Sequence, residues 1–198
     1  EIDGDQIMAQ CGLALKEQGK LSGNTVVATI MSNIGLHMFV KEHGMNVECT
    51  NVGDRNVLER MQEKGYAIGG EQSGHMIFLE YATTGDGELT ALQILNLLQK
   101  SGKKASELFG QCVRYPQMLI NVPISGGNPK KEQIMAADWL KEAVAEQENA
   151  LAGSGRVLVR PSGTEALIRV MVEGKDEAQA QKCAQELAEL IKLNEKSL

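Results

Sequence analysis

The run Arg160-Pro161-Ser162-Gly163-Thr164-Glu165 gathers hydrogen-bond donors and almost no acceptors. An arginine presents a planar fork of N–H groups, Ser162 and Thr164 add hydroxyls, and Gly163 lets backbone N–H groups approach a guest closely. Such a loop suits a phosphate. It lies between two strand-like runs, Val157-Leu158-Val159 and Leu167 to Val172, so a hairpin returns Arg169 toward the loop and adds a second charge-assisted contact. The plain alternative is a tight turn in which Pro161 and Gly163 set the backbone and the arginines are solvated.

A second stretch with chemistry in it is Gly69-Gly70-Glu71-Gln72-Ser73-Gly74-His75. Its glycines let a strand break into a loop that a ligand can approach, and Glu71, Ser73 and His75 alternate, which predicts that they point the same way. Glu71 can accept from two adjacent sugar hydroxyls, Ser73 can donate or accept, and the imidazole of His75 can move a proton. In the third stretch, Thr50-Asn51-Val52-Gly53-Asp54-Arg55, a strand meets a helix. A cation at a helix N-terminus is poorly placed unless an anion sits there too, so Arg55 marks either an anion site or, with Asp54 as N-cap, a solvated surface.

The elements that position these loops follow from periodicity. Ile7, Met8, Cys11, Ala14 and Leu15 recur at helical spacing, with Asp3 or Asp5 as cap and Gly19 as stop. Thr25–Met31 reads as a strand covered on both faces, and Leu36, Phe39 and Val40 mark a helix ending at Gly44. The alternation continues with a strand from Asn46 to Val52 and a helix carrying Val57, Leu58 and Met61 that Gly65 closes. Short strands follow at Tyr66–Gly69 and Met76–Glu80, and the Thr84-Gly85-Asp86-Gly87 turn opens a helix through Leu98. This order implies an α/β domain with a largely parallel sheet over residues 1–114. The pattern changes at Arg114–Pro116. A strand from Met118 to Pro123, the turn-rich Ser125–Pro129, a single helix with Ile134, Ala137, Leu140 and Val144 on one face, the hairpin and a last helix make a β-α-β-β-α domain over 118–198. The last helix carries the stripe Ala180, Cys183, Ala184, Leu187, Leu190 and Ile191, with Asp176 as its cap. That order predicts an antiparallel sheet with helices on one face.

The chain holds 20 basic and 26 acidic residues, a net charge of −6, which argues against nucleic acid or an anionic membrane as partner. No apolar run has the length of a membrane span, and the first residues do not form a signal peptide. Cys11, Cys49, Cys112 and Cys183 are far apart in apolar patterns, which predicts buried, reduced thiols and a cytoplasmic protein. The chain does not begin with methionine and reads as a fragment.

Val52 to Arg55, Gly70 to His75 and Arg160 to Glu165, in this order and spacing over essentially the whole chain, resemble the α-D-phosphohexomutases. The Gln72 form of the sugar loop is most similar to the bacterial phosphoglucosamine mutases. The resemblance implies domains III and IV of a four-domain isomerase, a three-layer α/β domain followed by a smaller α+β domain of TATA-binding-protein-like type. It implies interconversion of glucosamine 6-phosphate and glucosamine 1-phosphate through a bisphosphorylated sugar, which feeds UDP-N-acetylglucosamine and cell-wall synthesis. The competing expectations are phosphomannomutase or phosphoglucomutase specificity and a non-catalytic phosphosugar-binding module.

Carried onto this sequence, the resemblance assigns phosphate binding to Arg160, Ser162, Gly163, Thr164 and Arg169. Sugar binding falls to Glu71 and Ser73 with the Gly53-Asp54-Arg55 segment, and His75 is the candidate for proton transfer. The family's phosphoserine loop and its Asp-x-Asp-x-Asp-Arg magnesium loop are both missing from this sequence, so no metal ligand is assigned here. The implied partners are a phosphosugar and the missing N-terminal domains. Two departures from the family pattern are Ala166, where proline is common, and Asn56, where an aromatic is frequent.

Overall fold

The computed structural model describes residues 1–195, and the chain divides into two units, Glu1–Arg114 and Tyr115–Leu198. In the first unit, β1 (Thr25–Thr29) is β-branched and apolar, and every residue in it is buried. It lies inside a four-stranded sheet ordered β2-β1-β3-β4, with β2 at Asn46–Thr50, β3 at Ile68–Gly70 and β4 at Met76–Phe78. β1 pairs in parallel with β2 and β3, and β4 returns antiparallel to β3. Side chains alternate across β1, so its two faces build two cores. Val26 and Ala28 meet Met8 of α1 (Gly4–Glu17) and Leu36 and Phe39 of α2 (Ile34–Glu42), whereas Val27 meets Val57 and Met61 of α3 (Asp54–Lys64). The result is the expected helix, sheet, helix sandwich.

Asp3, one of the two caps that the sequence offers, caps α1 in a capping box with Gln6. α4 (Gly87–Ser101) starts at Asp86, whose carboxylate accepts from Leu89 N at 2.9 Å. The strand bounds are tighter than the apolar runs that announce them, because β1 stops at Thr29 and β2 at Thr50. α5 (Ala105–Phe109) has no counterpart in the sequence reading, since five residues are too few for a periodic stripe.

The thiols divide. Cys11, Cys112 and Cys183 are buried, and desolvation pushes the first two up to about 12. Cys49, expected to be buried, is exposed, because β2 is an edge strand with a neighbour on one side only.

The second unit has a three-stranded antiparallel sheet ordered β5-β7-β6, built from β5 (Gln117–Pro123), β6 (Gly155–Pro161) and β7 (Leu167–Gly174). Val122, Val157, Ile168, Val170 and Val172 face one core together with Ala180, Cys183, Ala184, Leu187 and Ile191 of α8 (Glu177–Glu195). Asp176 accepts from Gln179 N at 3.1 Å at the start of α8. The single helix expected over Ile134–Val144 is instead two, α6 (Gly127–Ala136) and α7 (Asp138–Ala150), split at Ala137 with φ −66° and ψ 135°. On one continuous helix Ile134 and Leu140 would lie about 120° apart. The extended residue between them lets both enter the core, where each is buried. The connectivity is therefore β-α-α-β-β-α. Ser125–Pro129 is in part the start of α6: Pro129 sits in its first turn, where its missing N–H costs nothing. No helix among the described residues is long and apolar enough to cross a membrane.

Candidate functional site

Arg160 and Arg169 are direct partners in the β6–β7 ladder. Their side chains therefore leave the same face of the sheet, the one opposite the valine core. Like charges placed so are destabilising. Burial, and then the charge of Arg169, hold the Arg160 guanidinium below its ordinary pKa. Glu165 Oε2 accepts from Arg169 at 2.8 Å and neutralises part of this charge, but Arg169 Nε is buried with no hydrogen-bond partner among the described residues. An anion between the two guanidinium groups removes the repulsion and takes the spare donors.

The loop that joins these strands turns its acceptors inward and leaves donors outward. Ser162 N donates to Leu167 O at 2.9 Å, Leu167 N to Glu165 O at 2.9 Å, and the carbonyl of Ala166 accepts from Ile124 N at 2.8 Å. The carbonyls of Ser162 and Glu165 both accept from Lys131 Nζ, at 2.6 and 2.9 Å. Gly163 and Thr164, by contrast, are exposed. The N–H groups of Gly163 and Thr164 donate to no described residue. A Cβ built on Gly163 meets nothing within 4 Å, so there is open space beside this residue. Ser162 differs from its expected role. It is buried and its Oγ accepts from Glu165 N at 3.2 Å, so the hydroxyl braces the turn. Lys131 escaped the sequence reading, because a lysine between the turn-rich Ser125–Pro129 and the helical stripe that starts at Ile134 carries no signal of its own.

In the first unit the loop over residues 70–75 is a closed turn. Glu71 N donates to His75 O at 3.0 Å, Gly74 N to Glu71 O at 2.9 Å, and Gly4 N at the start of α1 to Gln72 O at 2.9 Å. This turn breaks the strand-like alternation that would aim Glu71, Ser73 and His75 together. Glu71 instead reaches the end of β2, where one carboxylate oxygen accepts from Gly53 N at 3.0 Å. His75 Nε2 lies 3.6 Å from Asp54 Oδ2. Gly53, Asp54, Glu71 and His75 thus form one cluster at the carboxyl ends of parallel strands, where open α/β sheets bind ligands. Ser73 is outside it and lines a recess of about 310 Å³ with Asp3, Gly4 and Arg114.

Gly53, with φ +123°, is the N-cap of α3 in place of Asp54, and Asp54 is the first helical residue. Arg55 has an 86% exposed side chain and pairs with Glu59 at 2.8 Å, the solvated outcome. Gly85, read from the sequence as part of a helix-opening turn, packs on the imidazole. A Cβ there would stand 2.4 Å from His75 Nε2. No three His, Cys, Asp or Glu side chains among the described residues converge on a metal position, so these side chains do not fit a magnesium ion.

Two family models cover the two units. "Phosphoglucomutase/phosphomannomutase, alpha/beta/alpha domain III" matches residues 3–115, and "Phosphoglucomutase/phosphomannomutase, C-terminal domain" matches residues 119–190. The chain belongs to the phosphoglucomutase/phosphomannomutase family. Among family relatives, a phosphoglucosamine mutase of a Thermoanaerobacter species is 53% identical over 195 residues, which is 98% of this chain and 43% of the relative. The phosphoglucosamine mutase of Acetivibrio thermocellus is 54% identical over 190 residues, 96% of this chain and 42% of the relative. The chain therefore spans less than half the length of these relatives. The fold is that of the N-acetylphosphoglucosamine mutase of Aspergillus fumigatus, at TM-score 0.80 and 18% identity, over 96% of this chain and 43% of the other. A structure of that enzyme with GlcNAc-6P and magnesium gives TM-score 0.77 at 18% identity, over 94% of this chain and 46% of the other.

Proposed function

We propose that this chain is the substrate-holding part of a phosphoglucosamine mutase, an isomerase that interconverts glucosamine 6-phosphate and glucosamine 1-phosphate through a bisphosphorylated sugar. The observation that carries this reading is the cross-strand arginine pair, with Arg169 Nε unpartnered, beside two N–H groups that donate to no described residue. Arg160, Arg169 and the N–H groups of Gly163 and Thr164 hold the phosphate that is not reacting, the Thr164 hydroxyl adds a contact, and Ser162 shapes the turn. Binding energy far from the reacting atoms orients the substrate. Glu71 uses the carboxylate oxygen not taken by Gly53 for ring hydroxyls, with Ser73 as a further sugar contact. His75 moves the proton, with the Asp54 carboxylate 3.6 Å from its Nε2. Arg55 exchanges Glu59 for a substrate phosphate.

On this reading the phosphoserine and the magnesium ligands lie in the rest of a longer protein, of which the chain is domains III and IV, with the N-terminal domains as its partner. Magnesium there neutralises charge on the transferring group, and none of the steps assigned to this chain runs through it. Four cysteines with no disulfide among the described residues suit the cytoplasm.

Calorimetric titration of glucosamine 6-phosphate into Arg160→Ala tests the reading. One charge-assisted bidentate contact is worth about 1.5–3 kcal/mol, so affinity falls about ten- to hundredfold. Unchanged affinity would reduce the loop to a turn. Coupled assays of the longer protein with glucosamine, mannose and glucose phosphates decide the sugar. The 198-residue chain alone shows no turnover with magnesium, because positional binding does not replace a missing nucleophile. Production of glucosamine 1-phosphate by this chain would defeat that assignment of roles.

A further inference from the structure

Lys131 is 3% exposed, a burial that lysine seldom reaches. Its Nζ donates to the carbonyl oxygens of Ser162 and Glu165, at 2.6 and 2.9 Å, and no described carboxylate pairs with it. A buried ammonium held only by carbonyl dipoles leaves its charge uncompensated, which is costly unless a counter-charge is close. The groups nearest along the chain to its two acceptors are the free N–H groups of Gly163 and Thr164, followed by the arginine pair of the flanking strands. Glu165, the carboxylate of the loop, is already engaged by Arg169. Positive charge therefore collects at this loop in a chain whose net charge is −6.

The two carbonyls bear on ligand binding directly. A peptide group that turns its C=O toward an anion repels it, whereas one that turns its N–H attracts it. The C=O of Ser162 belongs to the same peptide unit as the N–H of Gly163, because the peptide is planar and trans. Drawing the Ser162 carbonyl inward onto Lys131 therefore sends the Gly163 N–H outward. We propose that Lys131 is a positioning residue of the phosphate site: it holds the loop carbonyls away from the ligand, aims the Gly163 N–H at it, and adds its own charge to the attraction. This inference rests on the reading that the loop binds phosphate.

The test uses the 198-residue chain and glucosamine 6-phosphate, followed by ³¹P NMR titration at several sodium chloride concentrations, with melting temperature measured on the same samples. Lys131→Met removes donors and charge, Lys131→Gln keeps a donor without charge, and Arg160→Ala tests the loop itself. Both Lys131 variants are expected to weaken binding about tenfold and to flatten its salt dependence, since one cation fewer acts on the anion. Lys131→Arg, which keeps the charge, recovers part of the affinity and the steeper salt dependence.

A tether with no part in binding would lower the melting temperature of Lys131→Met and Lys131→Gln and leave the salt dependence as it was, which overturns the proposal. Unfolding of both variants also overturns it, by assigning the residue to the fold. If Arg160→Ala loses affinity while both folded Lys131 variants stay within about twofold of the parent, the inference fails and the phosphate reading stands. If Arg160→Ala binds normally, the phosphate reading fails and takes the inference with it.

Discussion

The two loops reach a defined shape by opposite means. The sugar loop is hemmed in by backbone: a Cβ on Gly4 would stand 2.0 Å from the Glu71 carbonyl oxygen, and one on Gly70 would stand 2.5 Å from the His75 carbonyl oxygen. The phosphate loop has open space above Gly163 and is held from beneath by the ammonium of Lys131. Close packing fixes the first loop at the cost of tolerating no added atom. Charge and hydrogen bonds fix the second and leave room for a guest. A ring with many hydroxyls needs partners at set positions, whereas a phosphate needs donors and an empty space.

The sharpest way to break this contrast is Gly4→Ala. The atom it adds collides with main chain, which has no rotamer to escape into, so the first unit loses about 1–3 kcal/mol or more by overpacking. Thermal or urea unfolding reads this, and an unchanged midpoint would show that the sugar loop yields easily. Gly163→Ala should do the reverse. Its methyl group meets nothing in the protein, so stability stays within about 0.5 kcal/mol, as for a surface change. If the methyl group intrudes on a phosphate held at the loop, affinity for glucosamine 6-phosphate falls about tenfold, the worth of one charge-assisted hydrogen bond. A Gly163→Ala chain that unfolds more easily yet binds normally would erase the distinction between the loops. Smallest is Ala166→Pro. Ala166 is exposed and its N–H donates to no described residue, so proline removes only freedom from the unfolded chain. A gain of less than about 1 kcal/mol is expected from the unfolding midpoint.

Much of this was legible in the sequence where a pattern repeats. The buried β1, the stripe of α8 and the capping residues Asp3 and Asp176 all follow from local periodicity and local hydrogen bonding. The register that sets Arg160 opposite Arg169 follows from the hairpin. What stayed hidden depends on residues distant in the chain. The Glu71 to Gly53 hydrogen bond joins the ends of two strands that β1 separates, and no spacing rule links them. Lys131 reaches its two carbonyls from another element, and Gly85 looks like a helix opener until the imidazole is packed on it. Cys49 was misread because an apolar strand at a sheet edge has the same sequence pattern as one inside. The helix break at Ala137 has no proline or glycine to announce it; the demand of the core for both Ile134 and Leu140 produces it.

The exposed edge of the first sheet gives an experimental handle. Cys49 is on the surface, its Sγ 3.9 Å from His37 Nε2, while the other three thiols are buried and shifted toward the protonated form, which does not alkylate. A maleimide dye offered to the folded chain therefore attaches at a single position. That position lies on the strand that runs straight into Asn51, Val52 and Gly53, and so into the N–H that Glu71 holds. Emission from the dye becomes an optical record of whether the carboxylate keeps its backbone partner or gives way to a sugar. Because Cys183, the one thiol of the second unit, stays dark, the same labelled sample reports sugar capture separately from phosphate capture.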